Sequence, residues 1–180
     1  GYAIAKHCML RGAKVTLVTG KTALSYPPYV DVVPVESAKE MYEAVTSRFE
    51  EQDIVIKAAA VADYRPAHVA DQKLKKKDNE MTVLLEHTED ILKTLGERKR
   101  ADQFLCGFSM ETEHMLENSR AKLERKNLDM IVANNVKQDG AGFGVDTNIV
   151  TLITRDSVEE LPVMSKEEVA EKILDAVKLK

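Results

Sequence analysis

The sequence predicts an α/β fold, and three observations carry that reading. Short apolar runs of strand length alternate with segments whose apolar residues recur at helical spacing, from the first residues to the last. Two S-x-x-E sequences, Ser37 with Glu40 and Ser165 with Glu168, stand just ahead of helical patterns, as capping boxes do. The apolar run Ile54 to Ala60 opens into a loop of small residues, and the end of a strand is where open α/β sheets receive ligands. Repeated strand and helix units imply a mostly parallel sheet covered by helices on both faces, a Rossmann-like three-layer sandwich. The 180 residues suit one domain, 1–180, with a core of its own.

The elements follow in order. Tyr2, Ile4, Ala5, Cys8 and Met9 share a helical face within Gly1 to Arg11, and Gly12 stops that helix before a strand from Lys14 to Thr19. A helix opening on Gly ahead of a Val-rich strand looks like the first helix of a dinucleotide-type unit, with its first strand and phosphate loop expected upstream. Thr19 to Tyr29, with Gly20, Pro27 and Pro28, is a loop, and Val30 to Val35 a short strand. Ser37 then opens a helix that carries Ala38, Met41, Val45 and Phe49 inward and runs out near Glu51.

Past the central loop, Met81 to Leu85 reads as a strand, and Thr88 as the cap of a helix burying Ile91, Leu92 and Leu95. Phe104 to Phe108 is a strand. Glu111 to Lys126 is a helix with Met115, Leu116, Ser119 and Leu123 inward, and Leu128 to Ala133 is the next strand. Asn134 to Asn148, carrying Gly140, Gly142 and Gly144, is a second candidate functional loop. Ile149 to Ile153 and Val158 to Leu161 suit a hairpin across Thr154 to Ser157, and Ser165 opens the terminal helix.

Composition limits the function. Hydrophobic residues make up 44% and charged residues 31%, with net charge -4, the balance of a soluble globular protein with no general pull toward nucleic acid. No apolar run nears the roughly 20 residues of a bilayer span, so a cytoplasmic protein without a membrane partner is expected. Cys8 and Cys106 have no metal or redox spacing and read as core residues; His7, His68, His87 and His114 read as structural or surface. The P-loop, GxSxG and HExxH patterns are absent from the sequence.

Charge placement points to an anion. Lys73, Lys75, Lys76 and Lys77 follow the small-residue loop, where lysines can hold a polyphosphate and stabilise charge developing on phosphorus. A lysine run is otherwise an ordinary solvated face. Lys122 and Lys126 lie four apart on one helix face with no acidic residue three or four positions away in that helix, a repulsion of about 0.2 to 0.5 kcal/mol that a bound anion would offset. The bland alternative is two exposed cations suiting the helix dipole. Asp63, on the loop, can take a ribose hydroxyl or a metal-bound phosphate, or else only pair with Arg65. From the residues alone the chain is an α/β protein that binds a phosphorylated ligand.

Several pieces together have a familiar order: AAVADYRP from Ala59, K-x-K-K from Lys73, GF at Gly107 with ET at Glu111, R-x-K-L-x-R-K-N-L-D from Arg120, VAN from Val132, and G-A-G-F-G-x-D-x-N from Gly140. The sequence resembles phosphopantothenoylcysteine synthetase, the phosphopantothenate:cysteine ligase of coenzyme A synthesis. The resemblance implies that 4'-phosphopantothenate attacks CTP to give an acyl-cytidylate, from which the amine of L-cysteine displaces CMP. Mg2+ would ride on the triphosphate, with no metal site of the protein's own. Carried over by position, Lys73 is the catalytic lysine of a mobile flap that includes Lys76. Lys57, Ala58, Ala59, Asp63, Phe108, Lys122 and Lys126 are nucleotide contacts.

The family's N-P-D-I falls on Thr88, Glu89, Asp90 and Ile91, the first two of which differ, so contact there is expected through the helix-start backbone. The resemblance also implies a homodimer, a possible flavin-dependent decarboxylase fused upstream, and an upstream Asn-bearing segment ending S-S-G-K-M-G. Without that segment the 180-residue chain is expected to bind nucleotide but ligate poorly. Two other classes stay open: an NAD(P)-dependent oxidoreductase using Glu36 for the ribose, and a non-catalytic regulatory subunit on the same fold.

Overall fold

The computed structural model describes residues 1–75, 81–110, 114–134 and 147–179. Five helices and eleven strands alternate much as the periodicity requires. They are α1 Tyr2–Leu10, β1 Thr16–Thr19, β2 Asp31–Pro34, α2 Ala38–Thr46, β3 Ile54–Lys57, β4 Tyr64–Pro66, β5 Leu85–His87, α3 Ile91–Arg98, β6 Phe104–Met110, α4 Met115–Arg125, β7 Met130–Asn134, β8 Thr147–Asn148, β9 Val150–Thr154, β10 Val158–Glu160, β11 Met164–Ser165 and α5 Lys166–Asp175. The central sheet runs β10-β9-β7-β6-β3, with β3, β6 and β7 parallel and the β9–β10 hairpin antiparallel at one edge. β1 and β2 form a separate parallel pair.

Strand alternation splits the core into two layers. Phe104, Cys106, Met130, Val132, Val150 and Leu152 face one way and meet Ile4 of α1 and Val169, Ala170 and Ile173 of α5. Leu105, Ile131, Ala133 and Ile153 face the other way, against Leu92 and Leu95 of α3 and Leu123 of α4, with Met41 and Val45 of α2 beside them. The three-layer sandwich follows from that period-two pattern. Cys106 is fully buried and Cys8 half-buried, both as free thiols, and both pack in the first layer.

The two expected capping boxes differ. Ser37 caps α2 by accepting the Glu40 N–H at 3.1 Å, but the Glu40 carboxylate accepts from the Glu36 N–H and the Ser37 hydroxyl rather than the Ser37 N–H, so that box is only half formed. At α5 the exchange between Ser165 and Glu168 is fully reciprocal.

Several boundaries depart from the sequence pattern. α2 ends at Thr46, and Phe49 is buried instead by a separate 3₁₀ turn, Phe49–Glu51. β3 ends at Lys57 rather than Ala60, because the alanines turn away from the sheet. α4 covers Met115–Arg125, with Glu111, expected to open it, outside the described residues, and Leu116 is exposed rather than inward. Met115, Ser119 and Leu123 do face the core. The strand expected over Met81 to Leu85 forms only at Leu85–His87, paired antiparallel with Tyr64–Pro66, and one further cross-strand bond runs from the Ala67 N–H to the Leu84 carbonyl at 2.9 Å.

Thr88 does not cap α3. Its hydroxyl donates to the Ala62 carbonyl at 2.6 Å and its N–H to the Asp63 carbonyl at 3.0 Å. The cap is Asp90, whose carboxylate accepts the Lys93 N–H at 3.1 Å.

Candidate functional site

The parallel order of β3, β6 and β7 gathers their ends on one side of the molecule. Lys57 is the last residue of β3, paired in register with Gly107 of β6. Its strand neighbour Val55 faces the α3 and α4 layer, so by alternation Lys57 does too. Its ammonium donates to the Ala59 carbonyl at 3.0 Å, which curls the start of the small-residue loop over it.

Two helices bring their charges to the same place. Asp90 lies at the start of α3, and Lys126, the C-cap of α4, reaches it with an Nζ to Oδ2 distance of 2.7 Å. The Lys126 side chain is only 16% exposed against 42% for Asp90, so this pair is better shielded from water than an ordinary surface salt bridge.

The electrostatics couple the group. Burial pushes the Lys57 ammonium below its ordinary range and the charge of Lys126 pushes it further, while Asp90 and Asp63 pull it back and Lys122 adds to the depression. Burial pulls the Asp90 carboxyl up, but the Lys126 hydrogen bond, the Lys93 N–H and the charges of Lys126 and Lys57 outweigh that and hold it below the usual carboxylate range. Three lysines and two carboxylates, Asp90 and Asp63, thus act on one another at this place. Clustered cations of this kind can stabilise an anion at the strand ends.

The other expected residues do not all join this cluster. Ala58 adjoins the start of α1, where a β-carbon on Gly1 would come 3.8 Å from that of Ala58. Ala59 and Asp63 lie on the exposed loop, clipped to Thr88 by the two hydrogen bonds above; Glu89 is exposed and Ile91 buried. Arg65 pairs with Glu86 at 2.8 Å, so Asp63 is not consumed as its counterion. Phe108 leaves β6 toward the first core layer, on the opposite sheet face from Lys57. Lys73 lies in exposed irregular chain beyond β4, and no contact among the described residues ties it to the cluster. Lys76, and the Gly-rich stretch expected to be a second loop at 135–146, lie outside the described residues.

Two cavities are open to solvent. A 340 Å³ cavity lined by Arg120, Leu123, Glu124, Thr154 and Arg155 runs along α4 beside Thr154, which pairs with Met130 at the start of β7. A second, of 290 Å³, lies between Met115 and the segment Glu160 to Val163, near the finish of β7. Neither cavity is lined by Lys57, Asp90, Lys122 or Lys126, so the converging charges rather than a cavity mark the candidate site. The sequence reading missed Asn127 and Gly96, which hold the end of α4. The signal was an Asn directly after the last helical turn, where a left-handed cap is common.

The sequence profile of the family described as DNA/pantothenate metabolism flavoprotein C-terminal domain matches residues 1–179. The chain is 50% identical over 179 residues to the coenzyme A biosynthesis bifunctional protein CoaBC of Bacillus subtilis, covering 98% of this chain and 44% of that protein. It is 44% identical over 176 residues to a protein named cysteine/cysteine sulfinic acid decarboxylase from an unknown prokaryotic organism, covering 97% of this chain and 49% of that one. A crystal structure of the C-terminal domain of a CoaBC protein superposes with a TM-score of 0.81 at 46% identity, over 97% of this chain and 78% of that chain. The chain thus spans about half the length of the curated relatives it matches.

Proposed function

We propose, since this chain belongs to the DNA/pantothenate metabolism flavoprotein C-terminal domain family, that it is the ligase part of a coenzyme A biosynthesis protein and joins 4'-phosphopantothenate to L-cysteine. In this reading a carboxylate oxygen of phosphopantothenate attacks the α-phosphorus of CTP and pyrophosphate leaves. The amine of cysteine then attacks the acyl carbon of the cytidylate, and CMP leaves as the amide forms. The observation that carries the reading is the convergence of Lys57, Lys122 and Lys126 on the strand ends. Nucleotidyl transfer asks a protein mainly for positioning and for cations where charge develops, and this cluster supplies both.

Lys126 and Lys122 hold the phosphates, with Asp90 keeping Lys126 extended. Ala58, Ala59 and Asp63 offer backbone and carboxylate to the nucleoside side, and Thr88 fixes the loop that presents them. Phe108 lies at the same sheet end, and the start of α3 at Glu89 and Ile91 turns backbone N–H groups toward the anion. Lys73, with Lys76, acts on the α-phosphate from the segment beyond β4. Magnesium enters on the triphosphate, whose oxygens and waters supply most of its ligands; among the described residues no three acidic, His or Cys side chains gather into a metal cage.

A homodimer belongs to the same reading. The β4–β5 ribbon and its continuation expose Val69, Leu74, Met81, Val83, Leu84 and Leu85, each between 52% and 82% accessible. A two-stranded ribbon is marginal alone in water, and such an apolar surface is stabilised by a partner. Among the described residues no helix is long and apolar enough to cross a membrane, and a cytoplasmic location, free of nucleic acid, suits the metabolite substrates. The bifunctional relatives support a fused flavin-dependent decarboxylase.

The test is pyrophosphate release. With CTP and magnesium, release that requires 4'-phosphopantothenate, followed by CMP formation that requires cysteine, is expected. Binding of NADPH without CTP turnover would replace this reading with the oxidoreductase one.

A further inference from the structure

Lys126 can act only if the end of α4 is held where its side chain reaches the strand ends, and the structure shows what holds it. Asn127 follows Lys126 with φ 49, a left-handed conformation that Asn tolerates better than most residues. Its Nδ2 donates to the Gly96 carbonyl of α3 at 3.0 Å, and its Oδ1 accepts from Arg155, in the β9–β10 turn, at 3.0 Å. Its N–H bonds back to the Glu124 carbonyl at 3.1 Å. One carboxamide therefore joins two helices and the hairpin.

Gly96 makes the approach feasible. A β-carbon there would stand 1.8 Å from the Lys126 carbonyl oxygen, so the backbone of the α4 cap occupies the space a side chain would need. Gly96 and Asp90 are six positions apart on α3, about 9 Å along its axis. The Lys126 and Asp90 side chains close that span to 2.7 Å only when extended toward each other. Little slack is left if the anchor shifts.

We propose that Asn127 is a positioning residue of the nucleotide site: it clamps the end of α4 onto the bare backbone at Gly96 and so aims Lys126 at Asp90 and the strand ends. The proposal rests on the ligase reading for its ligand, but its geometry is independent of it. Asn127 touches no substrate and acts through Lys126.

The test uses Asn127→Gly, which keeps the left-handed backbone without strain and removes both side-chain bonds. Two readouts are taken. The first is calorimetric binding of CTP with magnesium, where a loss of about 5-fold is expected, with no further loss when Asn127→Gly is added to Lys126→Met. Equal losses in both backgrounds would overturn the proposal. The second is the titration of the Asp90 carboxyl by carbon NMR, whose midpoint should move up toward the ordinary range as Lys126 drifts away; an unmoved midpoint overturns the proposal.

If Lys126→Met leaves CTP binding intact, the nucleotide reading fails, and the Asp90 titration still decides whether Asn127 aims Lys126. Should Asn127→Gly not fold, Asn127→Asp serves in its place. It keeps the contact to Arg155 and loses the donor to Gly96, with the same expected results.

Discussion

The two halves of the proposed site are built in opposite ways. Lys57, Asp90 and Lys126 stand at the ends of regular elements that pack against the core, and each is held by a named partner. Lys73 lies in the connection between the two strands of a ribbon with apolar side chains facing solvent. The first half is organised before any ligand arrives. Among the described residues the second has no such support. In the proposed reaction this difference would assign ground-state binding to the first half and transition-state stabilisation at the α-phosphate to Lys73.

The largest effect expected is on turnover. Lys73→Gln should lower CTP-dependent pyrophosphate release by about 100- to 1,000-fold, the scale of losing one preorganised donor, while CTP binding changes little. A matching loss of CTP affinity would place Lys73 in the first half instead. Next is assembly. Leu84→Glu should weaken self-association by about 10- to 30-fold in sedimentation, with an unchanged circular dichroism spectrum, if the ribbon is the dimer surface. Unchanged association would leave the ribbon without that role.

Lys126→Met should weaken CTP binding by about 10-fold, the cost of one charge-assisted hydrogen bond, and leave the rate of bound substrate nearly intact. The reverse pattern would erase the division between the halves. The smallest effect is on pH. Because the folded state depresses the Lys57 ammonium below its ordinary 10.5, the unfolded chain binds more protons between the depressed value and 10.5. Stability therefore rises with pH across that window, and Lys57→Met should flatten the rise in urea titrations.

Much of the fold was legible because its signals are local. The alternation of apolar periods placed every helix, and Ser165 with Glu168 marked the start of α5 to the residue. The start of α3 was misread because Thr88 and Asp90 are both good caps; what decided between them was a bond from Thr88 to Ala62, 26 residues away. Long-range pairing is where the site became illegible. Lys122 and Lys126 could be placed on one face by their spacing, but the Asp90 partner comes from another helix and the Asn127 anchor from a carbonyl 31 residues back. The β4–β5 ribbon escaped because three-residue strands carry almost no periodicity.

Amide shift mapping with CTP and magnesium tests the central claim most directly. Perturbations at Ala58, Ala59, Asp90, Ile91 and Lys126 are expected, around the lysines at the strand ends. Shifts confined to Arg120, Thr154 and Arg155, which line the 340 Å³ cavity, would contradict it.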